Sequence, residues 1–373
     1  MNTFQNSVDL AILLTGHDIV KLFLPSLVST LAGVMVTPFI TNMMIKYNLQ
    51  KVKSVAKTVD GRPATITQKL HNDENKVLYR MGALVVIVGV AVSLSIFRLL
   101  PVFFNSDTVA KLNFLSSSQT WLPLFAFLIG AIIGAVDDLI VCGRLKKLAS
   151  AVGGGLSLKV RLGMALVIAL GCAWWMTTRL DMSQFYIPFI GTYTVHWALF
   201  SLAVVVAVVV SYAGGVIDGI DGLAGGIFSL MYSTMGIIAL LQQRFDLAAL
   251  CFAVVGGLLA FLWFNIPPAR FMLSDVGSMP LTIMLAIIAV LTDSLFVLPI
   301  ITLPLWTSIG SVVIQLVSKK LRGGKKVFLV SPVHNHFQAM GWPPYKVVMR
   351  YWVITSVCCS IGLLVFVSGG YFG

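Results

Sequence analysis

The 373-residue chain is 58% hydrophobic and only 11% charged, with a mean hydropathy of +0.94. Soluble domains carry about 25% charged residues, so this composition excludes one and points to an integral membrane protein. The formal charge of +12 is therefore read loop by loop and carries no nucleic-acid signal.

Residues 8–15 form an apolar stretch too short to cross a bilayer. Ten longer runs approach the length of about 20 residues that a spanning helix needs. They cover residues 20–44, 81–100, 120–141, 162–178, 194–213, 223–242, 247–264, 278–292, 295–317 and 348–369. The expected fold is an all-α polytopic membrane protein of about ten transmembrane helices, one domain over residues 1–373, without internal repeats. No Lys or Arg precedes Lys21, so no secretory leader is expected. The five cysteines make no C-x-x-C pair and mostly lie inside apolar runs, as packing residues do.

The odd-numbered loops hold 21 of the 26 basic residues, and the other side holds Lys21, Arg98, Lys111, Arg179 and Arg244. The positive-inside rule then places the odd loops in the cytoplasm and both termini outside. That orientation gathers Asp137, Asp138, Asp218, Asp221 and Asp275 on the cytoplasmic face.

In chain order, the first basic loop offers Lys69 and Arg80 within QKLHNDENKVLYRMGAL. Asp137 and Asp138 follow in GAVDDLI, at the inner end of the third run. Adjacent carboxylates repel, which favours a cation or a raised pKa; one can serve as general base while the other orients a metal. A solvated helix end is the plain alternative. Residues 211–226 read SYAGGVIDGIDGLAGG. If this turn is helical, Asp218 and Asp221 share a face, and the glycines let backbone approach a ligand. This suits a metal-dependent phosphate site, against an ordinary polar turn; an EF-hand is disfavoured because its D-x-D-x-D-G pattern and closing Glu are absent. FNIPPARFMLSDVGS, residues 264–278, supplies Asn265, Arg270 and Asp275. Its prolines end the seventh run and leave Asp275 on an irregular loop, suited to Mg²⁺, with Arg270 suited to a phosphate. In VSPVHNHFQAMGW, residues 330–342, His334 and His336 can share one face of an extended segment. A polar clamp on phosphate or sugar is expected there, ahead of zinc, which lacks soft ligands nearby.

As an ordered set, the Asp pair, D-G-I-D-G-L-A-G-G, F-N-x-x-P-A…D-V-G-S and P-V-H-N-H-F…G-W resemble the polyprenyl-phosphate N-acetylhexosamine-1-phosphate transferases over nearly the whole chain. The resemblance implies a Mg²⁺-dependent transfer of a sugar-1-phosphate to undecaprenyl phosphate with release of UMP. The donor implied is UDP-MurNAc-pentapeptide, in the first membrane step of peptidoglycan synthesis; UDP-GlcNAc, for another cell-surface glycan, is the alternative. By the same resemblance Asp275 holds the metal and Asp137 deprotonates or orients the lipid phosphate, with Asp138 beside it. Asp218, Asp221 and Asn265 line the nucleotide and diphosphate, His334 and His336 contact the donor, and a homodimer in the bacterial inner membrane is implied. The family's paired asparagines align here with Tyr212 and Gly215, its F-M-G-D reads MLSD, and its histidine triplet is His334, Asn335, His336. An inactive paralogue and an ion-coupled transporter are the competing readings; the latter places its acids near the midplane and shows paired repeats.

Overall fold

The computed structural model describes residues 16–50, 78–104, 107–115, 118–145 and 155–370. Ten long helices answer to the ten apolar runs. They are α1 (Gly16–Lys46), α2 (Leu84–Phe103), α3 (Ser118–Val141), α4 (Leu158–Arg179), α5 (Trp197–Gly214), α6 (Leu223–Leu241), α7 (Phe245–Asn265), α8 (Asp275–Leu291), α9 (Leu303–Leu321) and α10 (Pro344–Ser368). Eight are long and apolar enough to cross a membrane; α8 is apolar but has 17 residues, and α9 is the other exception. The chain is an all-α polytopic membrane protein.

Helices α6 and α7 form the centre. Their apolar stretches are 78% and 83% buried, whereas the other six candidate spans are 22–44% buried and turn a face outward. With no hydrophobic drive between helices in lipid, close backbone approach and polar ties hold such a bundle. Gly256 of α7 lies directly against the Ser26 backbone of α1, and Thr30 Oγ1 donates to the Gly256 carbonyl at 3.0 Å. Gly130 and Gly134, one turn apart on α3, face Pro280 and the backbone of Asp275 and Val276 on α8. That G-x-x-x-G face lets α3 lie on α8 and delivers Asp137 and Asp138 to the start of α8.

One element was not anticipated. Between α4 and α5 the chain forms an antiparallel hairpin of β1 (Gln184–Ile187) and β2 (Gly191–Thr194). Its turn uses Phe189 and Gly191 at φ +66° and +116°, and Phe185 stacks on Phe200 of α5 at 4.8 Å. The five cysteines are free and buried, as their apolar settings imply.

Two ends of the bundle are distinguished by charge. One carries ion pairs Lys21–Asp246 (2.5 Å) and Arg244–Asp293 (3.0 Å). The other carries Arg80, Asp137, Asp138, Arg161, Asp218 and Asp275.

Candidate active site

Three carboxylates from two helices meet two arginines. Asp137 and Asp138 close α3. Asp275 is the first residue of α8, not part of an irregular loop: the break falls at Ser274, and the helix starts one residue later. A carboxylate in the first turn also meets the positive end of the helix dipole. Arg80 is brought in by an extended pairing, in which Met272 N donates to Tyr79 O and Gly82 N to Met272 O, both at 2.8 Å. Its Nε lies 2.7 Å from Asp138 Oδ1 and its Nη2 lies 3.0 Å from Asp275 Oδ2. Burial opposes the Arg80 charge, but Asp138 and Asp275 hold its pKa above the ordinary value.

Arg161 approaches from the first turn of α4, which Ser157 caps. Its Nη1 sits 3.3 Å from both Asp137 Oδ2 and Asp275 Oδ1, and its Nε donates to Leu156 O at 2.9 Å. The sequence reading passed over Arg161. The available signal was a cation inside the first turn of an apolar helix, which is costly without a partner.

The adjacent aspartates are not equivalent. Asp138 is wholly buried and saturated: Oδ1 receives Arg80, while Oδ2 accepts from Ser274 Oγ at 2.6 Å and Val276 N at 3.1 Å. It thus caps the start of α8 from a neighbouring helix, satisfying an N–H that would otherwise lack a partner. Asp137 Oδ1 accepts Leu156 N at 2.6 Å, but its buried Oδ2 accepts no hydrogen bond and lies between the Arg161 guanidinium, 3.3 Å away, and the Asp275 carboxylate. Asp275 is the most open of the three, with 27% of its side chain exposed. The chemistry available to a base or a cation therefore lies with Asp137 and Asp275, and Asp138 is taken up in holding the site together.

Asp218 borders this group, its Oδ2 accepting Ser274 N at 2.6 Å. Burial, above all, pushes its pKa from 3.8 up to about 6. Asp221 is half-buried further along the same turn. Asn265 serves as a strap: its Oδ1 accepts Gly222 N and its Nδ2 donates to Phe271 O, both at 2.8 Å. It ties the D-G-I-D-G turn to the segment before Asp275, so both ends of its amide are engaged within the protein. Gly222 has φ +82° there, a conformation glycine supplies without strain.

The histidines are corrected as a pair. Residues Val333–Ala339 form a short helix, not an extended strand, so positions two apart diverge. His334 is fully buried, edge-on to Tyr351, and a Cβ on Gly219 would come within 2.5 Å of its Nε2. It thus packs against the D-G-I-D-G turn. His336 turns to Phe328 and accepts Leu329 N at 3.2 Å. A zinc site shared by the two is not formed. Arg270 is exposed, its guanidinium 5.2 Å over the Phe264 ring, and Asp275 pairs with Arg80 and Arg161. Lys69 lies outside the described residues.

The donor set fits a hard divalent cation. Mg²⁺ takes one or two carboxylates and completes its shell with water and phosphate oxygens. Among the described residues no three His, Cys, Asp or Glu side chains enclose a metal by themselves. Asp275, with 27% of its side chain exposed, is the carboxylate placed to take part in such a shell, with the buried Asp137 beside it.

Residues 120–293, from α3 through α8, match the glycosyl transferase family 4. The chain is 32% identical over 296 residues to a phospho-N-acetylmuramoyl-pentapeptide-transferase of Listeria monocytogenes serotype 4b (strain CLIP80459), covering 75% of this chain and 83% of the relative. A protein of the same name from Latilactobacillus sakei subsp. sakei (strain 23K) is 34% identical over 67% of this chain and 76% of its own. One from Bacillus thuringiensis (strain Al Hakam) is 35% identical over 70% and 77%.

Proposed function

The chain belongs, with these phospho-N-acetylmuramoyl-pentapeptide-transferases, to glycosyl transferase family 4, and we propose that it moves phospho-MurNAc-pentapeptide from UDP-MurNAc-pentapeptide to undecaprenyl phosphate, releasing UMP. The observation that carries this is the pairing of a buried carboxylate oxygen that accepts no hydrogen bond, Asp137 Oδ2, with Asp275 and two arginines at one end of an apolar bundle. Two phosphates must be brought together there, and their mutual repulsion must be screened. Arg80 and Arg161, held on the carboxylates, carry further N–H donors whose planar fork also matches incoming phosphate oxygens. Asp137 takes the remaining proton from the lipid phosphate or orients it. An oxygen of that phosphate then attacks the β-phosphorus of the donor as the bond to the UMP oxygen breaks. The catalytic work is positioning and charge stabilisation.

Magnesium belongs to the proposal. Asp275 would hold it, leaving Asp137 Oδ2 for the lipid phosphate, and the ion would supply charge neutralisation at the donor diphosphate. The carboxylate end would face the cytoplasm of a bacterial inner membrane, where UDP-sugars are found, because the loops at that end carry most of the basic residues. The lipid chain would lie along the outward apolar helix faces.

The test is transfer of labelled sugar phosphate to undecaprenyl phosphate by purified protein, with UDP-MurNAc-pentapeptide and UDP-GlcNAc in competition across a Mg²⁺ titration. The expected product is the MurNAc-pentapeptide diphospholipid with stoichiometric UMP. Preference for UDP-GlcNAc would move the protein to the other branch of the reaction class, and no transfer from either donor would overturn the proposal.

A further inference from the structure

Ser274 holds a backbone conformation, φ +58° and ψ −172°, that is essentially restricted to glycine. A serine there is strained, yet each of its polar groups is engaged within the site. Its hydroxyl donates to Asp138 Oδ2 at 2.6 Å and accepts Met81 N at 2.8 Å, and its backbone N–H donates to Asp218 Oδ2 at 2.6 Å. Met81 is itself at φ +69°. Two residues with left-handed φ thus face each other across one hydrogen bond, Met81 following Arg80 and Ser274 preceding Asp275.

The arrangement separates what the backbone does from what the side chain does. A glycine at 274 would adopt the same dihedrals without strain and would keep the N–H to Asp218. Only the hydroxyl would go, and the hydroxyl is the one side-chain group that ties both the Arg80 segment, at Met81 N, and Asp138 to the residue before α8, beside the backbone pairing with Met272. We propose that Ser274 is a positioning residue of the transfer site, whose hydroxyl fixes Asp138 and Arg80, and through them Asp275, in register. Local strain maintained beside a reacting centre is a known form of pre-organisation. This inference rests on the transfer reaction given above.

Three proteins test it: the parent, Ser274→Gly and Ser274→Thr, each measured for melting temperature in detergent and for kcat and KM in sugar-phosphate transfer. Ser274→Gly sheds the strain but leaves Met81 N and Asp138 Oδ2 each one partner short, so the two effects oppose and it is expected to melt near the parent temperature. Its kcat should nevertheless fall about tenfold or more, as for loss of a hydrogen bond to a charged group, with KM for the UDP-sugar changed less than about twofold. Ser274→Thr keeps the hydroxyl but places a β-branched residue at positive φ; it should melt lower yet keep kcat within about threefold of the parent while folded. A merely structural hydroxyl cannot separate stability from turnover in this way. Parental kcat in Ser274→Gly, unfolding of that variant at the assay temperature, a loss confined to KM, or equal loss of kcat in both variants would each overturn the inference while leaving the transfer reaction standing. A parent protein that transfers nothing would overturn the reaction and the inference together.

Discussion

At the residue scale the site depends on unequal treatment of like groups. Asp275 is the carboxylate with most room, and a hard cation needs its charge. Asp275→Asn keeps the size and removes that charge, so transfer is expected to fall by about two orders of magnitude, with a weaker Mg²⁺ midpoint. Asp293→Asn is the comparison, since that acid pairs with Arg244 at the opposite end and should leave the midpoint alone. Near-parental turnover and an unshifted midpoint in Asp275→Asn would move the ion to another carboxylate. Asp218 gives a second prediction, for stability. With its pKa pushed from 3.8 up to about 6, chiefly by burial, the folded chain binds more protons than the unfolded chain between those values. Stability therefore falls as pH rises through that window, by up to about 3 kcal/mol for this one group. Asp218→Asn removes the charge and can retain the acceptor for Ser274 N. Its melting temperature should exceed the parent's at pH 7, by less at pH 5, and converge with it only below about pH 4. A gap that stays constant across this range would show that Asp218 is not held ionised against its burial.

At the element scale, close approach of α3 and α8 sets the geometry. A Cβ on Gly134 would collide with the Asp275 carbonyl and the Val276 Cα, backbone atoms that cannot swing aside as a side chain can. Gly134→Ala should cost about 1–3 kcal/mol through overpacking and displace Asp137 from Asp275, lowering transfer with it. Gly163→Ala on α4 meets nothing within 4 Å and should be neutral or stabilising by about 1 kcal/mol, from helix propensity alone. Thermal unfolding and transfer measured on both variants decide the matter; equal behaviour would mean that the crossing tolerates a methyl group. The same elements show what sequence could convey. Long apolar runs have a length set by the bilayer, so the helices were legible, as was the gathering of Asp137, Asp138, Asp218 and Asp275. Partnerships were not. Arg161 and Ser274 act through pairings across more than 100 positions, which no local pattern encodes. The segment around His334 was misread because a helix of seven residues, about two turns, has too few positions to display a period. The hairpin at 184–194 was passed over although QFYI and GTYT carry the β-branched and aromatic residues of strands.

At the scale of the whole molecule, the asymmetry between the two ends carries the functional argument. Among the described residues, 13 Lys and Arg lie toward the carboxylate end and five toward the other, which bears the β hairpin and two compact ion pairs. A bilayer sorts short basic loops to the cytoplasm, and a UDP-sugar can be used only where it is present, so the two requirements agree on one orientation. Cysteine labelling can test this cleanly, because the five native thiols are all buried. Gln184 on the hairpin and Lys326 after α9 are both exposed. Gln184→Cys should react with a membrane-impermeant maleimide in intact cells, and Lys326→Cys only after permeabilisation. The Lys326 site also reports independently of the active residues, since it lies outside the Asp137–Asp138–Asp275 group. The reverse pattern would put the carboxylates on the outer face. Asp137 and Asp275 would then have no nucleotide donor to serve, and the proposed transfer would fail with the orientation, however well the residues fit a metal and two phosphates.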